Sequence, residues 1–177
     1  MSIVAETERL VLREFSPAEA EALFALNADP EVVRYTGDRA FVDVEEARQL
    51  LAGYDAYQRH GYGRWSIYLK ETGGYIGFCG LAYRPETDEV DLGFRFYRRC
   101  WGKGYATEAG ARSLELGFEQ SGMQQIVGRS MEANRASQRV LAKLGMTLVS
   151  SFEREGQTWL QHEITVERFH AGRKSTL

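Results

Sequence analysis

Eleven consecutive residues, Arg98-Arg99-Cys100-Trp101-Gly102-Lys103-Gly104-Tyr105-Ala106-Thr107-Glu108, bring together two glycines, clustered positive charge and a switch of hydrophobic period. Before them, Val90, Leu92, Phe94 and Phe96 alternate with Asp91, Gly93 and Arg95 as in a strand; after them, from Ala106, the apolar residues recur as in a helix. A strand-to-helix loop of this kind aims the orphan N–H groups and the positive dipole end of the helix at one point, and glycines let a ligand come close to the backbone. That is the chemistry of a phosphate cradle. On the strand that feeds it, Glu89 and Asp91 share a face, where they could handle a proton or a positive charge.

Three phosphate-binding patterns compete for the loop. A Walker loop would need Ser or Thr after Lys103 and glycine at Tyr97, and neither is present. A dinucleotide fingerprint is begun by Gly102 and Gly104, but its third small position is Thr107 and the chain offers one β-α-β unit instead of two. The remaining pattern, Arg-x-x-Gly-x-Gly, is the pyrophosphate loop of acetyltransferases, and Arg99-Cys100-Trp101-Gly102-Lys103-Gly104 satisfies it.

The elements that must hold this loop follow from local signals. Leu10 to Leu12 reads as a first strand. Ser16-Pro17-Ala18-Glu19 gives an N-cap, a proline in the first turn and a capping-box glutamate, and the helix it opens stops at Asp29-Pro30. Asp43 and Glu46 repeat the signature for a helix whose face carries Ala47, Leu50, Leu51, Tyr54 and Tyr57 and which ends near His60-Gly61. Trp65 to Leu69, Tyr75 to Tyr83 and Glu89 to Phe96 read as an antiparallel meander. Gln125 to Met131 completes the β-α-β unit, Asn134 caps a short helix closed by Gly145, and Leu148 to Phe152 pairs with Trp159 to Val166 around Glu155-Gly156-Gln157. The expected fold is α/β, with a mixed, mostly antiparallel sheet of six or seven strands flanked by helices.

Composition sets bounds on function. The chain has 177 residues, 44% hydrophobic, 27% charged and 12% aromatic, with a net charge of -3, as expected of one domain over 1–177 with its core at about 8–168, and without the basic signature of a nucleic-acid binder. Cys79 and Cys100 lack CxxC spacing and His60, His162 and His170 are scattered, so no metal is expected. The N-terminus has no basic, then apolar, leader and no run of apolar residues spans a bilayer, so a reducing cytoplasm is the expected compartment.

At this point the chain closely resembles the GNAT superfamily of N-acetyltransferases, and within it the RimJ/RimL-type branch. Four stations carry the resemblance: Thr7-Glu8-Arg9-Leu10-Val11-Leu12-Arg13, Asp29-Pro30-Glu31-Val32, Trp101 to Ala109, and Asn134-x-x-Ser137 running to Leu144-Gly145-Met146. The resemblance implies acetyl-CoA as donor, in a V between two parallel central strands. Backbone groups from Arg99 through Gly102, Lys103, Gly104, Tyr105 and Ala106 would hold its pyrophosphate, and the backbone of Phe94, Arg95 and Phe96 its pantetheine arm. Gly93 would mark a bulge whose N–H polarises the thioester, or would merely relieve packing. Asn134 would position the pantetheine as well as cap its helix. Ser137 or water would stand in as general acid, since no tyrosine follows Tyr105. Asp91, in the branch's acidic position, is the first candidate for the base, directly or through water, with Glu89 as alternative.

The resemblance implies an amine acceptor, either a protein N-terminus or a small molecule, expected in a pocket where the early helices meet the last hairpin, with Tyr35, Trp65 and Trp159 as wall residues. Arg135, Arg139 and Lys143 could meet the coenzyme's 3′-phosphate or form a solvated face. Neither cysteine sits at a nucleophile position, so transfer should be direct. The alternatives are an acetyl-CoA-binding module with weak turnover and a nucleotide-dependent enzyme. Monomer and homodimer both remain open.

Overall fold

The computed structural model describes residues 2–174. In chain order the elements are β1 (Ile3–Glu6), β2 (Leu10–Arg13), a 3-10 turn (Pro17–Glu19) running into α1 (Ala20–Ala28), α2 (Pro30–Val33), α3 (Val44–Ala52), α4 (Ala56–His60), β3 (Arg64–Leu69), β4 (Tyr75–Arg84) and β5 (Glu89–Phe96). A second 3-10 turn (Arg98–Cys100) leads to α5 (Tyr105–Glu115), which widens into a π-helical turn (Leu116–Gln120); β6 (Gln125–Met131), α6 (Arg135–Lys143), β7 (Thr147–Arg154), β8 (Gln157–Thr165) and α7 (Val166–Lys174) complete the chain.

The strands form one sheet in the order β1-β2-β3-β4-β5-β6-β8-β7. Its eight strands exceed the expected six or seven because Ile3–Glu6 folds back on β2 as an edge strand; four residues with one buried side chain carry too little alternation to announce themselves. The long helix expected from Asp43 to His60 is two helices, since Gly53 closes α3 and Tyr54 begins a new direction. Leu50, expected on the buried face, is 46% exposed. The C-terminal α7 follows β8 without a loop and begins at Val166, which the sequence pattern assigns to the strand.

Every neighbouring pair is antiparallel except β5 and β6, whose parallel register sets Asp91 opposite Val127. Past that point β5 stays paired with β4 as far as Phe96, and β6 with β8 as far as Met131. The two central strands therefore part beyond their first residues and leave a gap at their C-terminal ends. The chain crosses that gap from β5 through the glycine loop into α5.

One face of the sheet, with Leu10, Leu12, Ile67, Cys79, Leu81 and Phe96, packs on Ala109 and Leu114 of α5 and on Leu141 of α6. The other face meets α1 and α3 through Leu23, Leu26, Ala47 and Leu51, with Phe15 and Phe78 beneath them. Each fully buried leucine stabilises by about 1.5–3 kcal/mol. The capping-box glutamate does more than cap: Glu19 is buried, accepts from the backbone N–H of Ser16, and also takes the hydroxyls of Ser66 and Tyr68, each at 2.6 Å. This ties the start of the helical layer to β3. Among the described residues no helix is long and apolar enough to cross a membrane.

Candidate active site

The glycine loop owes its shape to backbone conformation. Gly102 and Gly104 have φ of 72° and 82°, a left-handed region that costs other residues about 1–2 kcal/mol. Gly104 is the N-cap of α5 and offers no side chain to the helix, so the first-turn N–H groups stay open, and the first helical bond runs from Glu108 N–H to the Gly104 carbonyl. No atom lies within 4 Å of the Cβ that Gly102 lacks, so the space before the helix end is clear.

Behind the loop stands a clasp. The Glu108 carboxylate accepts from the Thr7 hydroxyl at 2.6 Å, from Arg9 N–H at 2.8 Å and from Arg9 Nε at 2.7 Å. Arg9 Nη1 donates to the Lys103 carbonyl at 2.9 Å, and its guanidinium lies over the Tyr105 ring. The β1–β2 turn thus fixes both sides of the helix start. Of the other loop side chains, Cys100 is buried in the core, Arg98 pairs with Asp29, Arg99 covers the Tyr97 ring, and Trp101 Nε1 donates to the Phe96 carbonyl.

Across the gap, Asn134 Oδ1 accepts Ser137 N–H at 3.2 Å, the expected cap of α6. Phe94 and Asn134 both line a cleft of about 1090 Å³ that continues over the sheet to α1, α3 and the β7–β8 hairpin. The Phe96 side chain is in the core, whereas Arg95 lines the cleft and donates to Asn27 at 2.9 Å and to Asp38 at 2.8 Å. Arg135, Arg139 and Lys143 are solvent-exposed.

Asp91 is 6% exposed and lies in a cage of guanidinium groups. Its Oδ1 accepts from Arg64 Nη2 and its Oδ2 from Arg84 Nε, both at 2.6 Å, while Arg129 Nη1 stands 3.7 Å from the same Oδ2. Burial raises the carboxyl's pKa, but the charges and hydrogen bonds of Arg64 and Arg84 outweigh it and hold Asp91 below the usual carboxylate range. A carboxylate so satisfied has little to gain from an amine's proton. Held in this cage, Asp91 is poorly suited to the role of base expected from the sequence. Glu89 is likewise engaged, with Arg129 at 2.6 Å and Gln161 at 3.1 Å.

Gly93 serves this cage. A Cβ there would lie 2.4 Å from Arg64 Nη2, so the glycine lets Arg64 pass over β4 and lie on β5, donating to the carbonyls of Gly80 and Asp91 and to the Asp91 carboxylate. The β4–β5 ladder runs in unbroken register past it, so on that edge no bulge occurs. Of the three aromatic wall residues, Tyr35 and Trp159 line the cleft, and the loop holding Tyr35 packs at Gly37 against the Trp159 ring. Trp65 does not: it is 2% exposed within the core on the α5 side. Strand alternation sends Arg64 and Ser66 to the cleft face and Trp65 away from it.

Sequence reasoning missed Arg64, Arg84 and Arg129. Each sits on a different strand, and only the sheet register brings them to Asp91. His162 is buried on β8, its Nδ1 has no partner among the described residues, and burial pushes its pKa down. Cys79 is buried on the α5 side, and burial pushes its thiol up to about 11, far from nucleophilic.

An open helix N-terminus at a gap between two diverging parallel strands, leading into a charged and aromatic cleft, defines a class of acyl-transfer protein, and sequence comparison agrees. A sequence model of the acetyltransferase (GNAT) domain matches residues 9–147. The chain is 33% identical over 152 residues to the uncharacterized N-acetyltransferase p20 of Bacillus licheniformis, covering 85% of this chain and 82% of that protein. Among solved structures, an acetyltransferase from Agrobacterium tumefaciens aligns with TM-score 0.78 and 28% identity over 93% of this chain and 95% of its own. RimL, the ribosomal L7/L12 α-N-protein acetyltransferase solved with coenzyme A, has the same fold, with TM-score 0.81 at 17% identity over 94% and 99% of the two chains. The chain belongs to the GNAT acetyltransferase family.

Proposed function

We propose that this protein moves an acetyl group from acetyl-CoA directly to a primary amine within a ternary complex. The observation that carries the reading is the uncapped start of α5, with Gly102 and Gly104 left-handed before it, at the mouth of the β5–β6 gap. An anionic pyrophosphate would sit on the N–H groups from Arg99 to Ala106, stabilised by their partial positive charge. The pantetheine would run into the gap beside Phe94 and Asn134, bringing the thioester near Gly93. The amine nitrogen attacks the thioester carbonyl, the new C–N bond forms, the nitrogen gives up a proton to water, the C–S bond breaks, and the thiolate takes a proton from Ser137 or water.

The leaving thiol has an ordinary pKa of about 8.5, so that last proton demands little. The amine must arrive neutral. An α-amine, with a pKa of about 7.7–8.0, loses its proton to water readily enough at neutral pH, and the satisfied state of Asp91 favours that route. Asp91 then acts by charge, holding Arg64 and Arg84 on the cleft floor.

Calorimetric titration with acetyl-CoA and release of CoA across an amine panel test the proposal together. Binding of acetyl-CoA with turnover of at least one amine is expected, with kcat/KM rising with pH along the substrate amine's titration. Failure to bind acetyl-CoA, or preference for NAD or ATP in competition, would sink it.

A further inference from the structure

We infer that the acceptor is a small amine that also carries a carboxylate, gripped by Arg84 and Arg129 on the cleft floor. The inference rests on the acetyltransferase reading and narrows it.

Its basis is an imbalance. Around Asp91 three guanidiniums, from Arg64, Arg84 and Arg129, converge from β3, β4 and β6 upon β5, and the acids that answer them are Asp91 and Glu89. Of direct partners that is three cations to two acids, with Glu86 acting on Arg84 through space alone. Arg64 spends both Nη atoms on Gly80 and Asp91, and Arg129 gives Nε to Gln161 and Nη2 to Thr87 and Glu89. Arg84 is bound differently. It is held only at Nε, by a carboxylate that is itself buried, and neither of its Nη atoms has a partner among the described residues. Its side chain is 45% exposed, and it lines the cleft.

A guanidinium fixed at Nε keeps its orientation yet presents a two-pronged edge, the geometry that carboxylates take in bidentate fashion. Preorganisation by Asp91 removes much of the ordering entropy that a free surface arginine would lose on binding. Arg129, 3.7 Å from the same Asp91 oxygen that Arg84 holds, adds charge from the next strand.

The surroundings narrow the ligand. Glu86 and Glu155 are exposed on turns at the cleft mouth, and they oppose a multiply charged anion while tolerating an ammonium group. A polyamine would set its second cation against Arg84 and Arg129. A peptide N-terminus presents an amide where the carboxylate is wanted. On β5, Asp91 and Gly93 stand about 7 Å apart at the usual rise per residue, so one small molecule can place its carboxylate over the cage and its amine at the thioester. Phe78, Phe152 and Trp159 offer its side chain apolar walls.

The test uses pairs that share one amine: free amino acids against their amides, beside peptides with free N-termini and spermidine, read by CoA release. The expected result is a kcat/KM at least about tenfold higher for the acid of the best pair, the worth of one charge-assisted hydrogen bond. Arg84→Gln, checked for an unshifted melting temperature, should shrink that ratio below about threefold through KM, with Arg84→Lys between. A best amide, peptide or polyamine that equals or beats the acids, or an Arg84→Gln that lowers both members of a pair alike, overturns the inference but spares the acetyltransferase reading. If no amine releases CoA, that reading fails instead. Titration of the CoA-loaded protein with N-acetyl amino acids and their amides then still decides, since preference for the acid that is lost in Arg84→Gln supports the carboxylate grip and equal affinity refutes it.

Discussion

The glycine loop, which follows β5, and the cleft floor, centred on Asp91 of β5, are built on opposite principles. The loop is contiguous, from Arg98 to Glu108, and what it offers a ligand is backbone N–H groups shaped by two glycine φ angles; its side chains mostly turn away to brace it. The floor is discontinuous. Arg64, Arg84, Asp91 and Arg129 come from four strands, and what they offer is side-chain charge. A site made of backbone tolerates side-chain change and binds what every member of a family binds. A site made of charges gathered across strands can be rewritten one residue at a time, which suits the partner that differs between family members.

The sharpest break in that contrast is Asp91→Asn. It leaves Arg64, 15% exposed, facing a neutral partner, and should cost about 3–5 kcal/mol of stability by denaturant titration. The same carboxyl carries a pH signature. Because its folded pKa is lowered, its stabilisation is fully present above the unfolded value of about 3.9 and is lost as pH falls through the folded one. The variant should lack that acid limb.

Gly93→Ala tests the floor more gently. Its methyl would meet Arg64 at 2.4 Å and should displace that guanidinium at about 1–3 kcal/mol. The acceptor's KM should rise while acetyl-CoA affinity, measured by calorimetry, stays constant. Equal damage to both would show the two regions to be one unit.

Gly104→Val is the mirror experiment. A β-branched residue at φ 82°, with its Cβ 3.3 Å from Arg9 Nη2, should weaken acetyl-CoA by about tenfold, the worth of about 1–2 kcal/mol of backbone strain. Acceptor analogues should bind the CoA-free protein as before. Smallest is Arg9→Ala, which opens the clasp on Glu108. This half-exposed contact is worth about 0.5–1 kcal/mol, so acetyl-CoA's KM should rise roughly two- to fivefold without effect on the acceptor's.

Much of the molecule can be read along the chain. The caps at Ser16, Asp43 and Asn134, the stop at Asp29-Pro30, the meander and the Arg-x-x-Gly-x-Gly loop are all local, decided by residues within a few positions of one another, and the loop with the other three stations of the resemblance implied the donor. What lay beyond the sequence was every relation between distant residues. That Trp65 enters the core, that Arg95 braces Asp38, and that Asp91 is caged by Arg64 and Arg84 all follow from which side of the sheet each residue takes and which strand lies next to it. A turn or a helix cap is specified by short-range sterics and hydrogen bonding, whereas a salt bridge across three strands exists only once their register is set, and register is a property of the whole packed sheet.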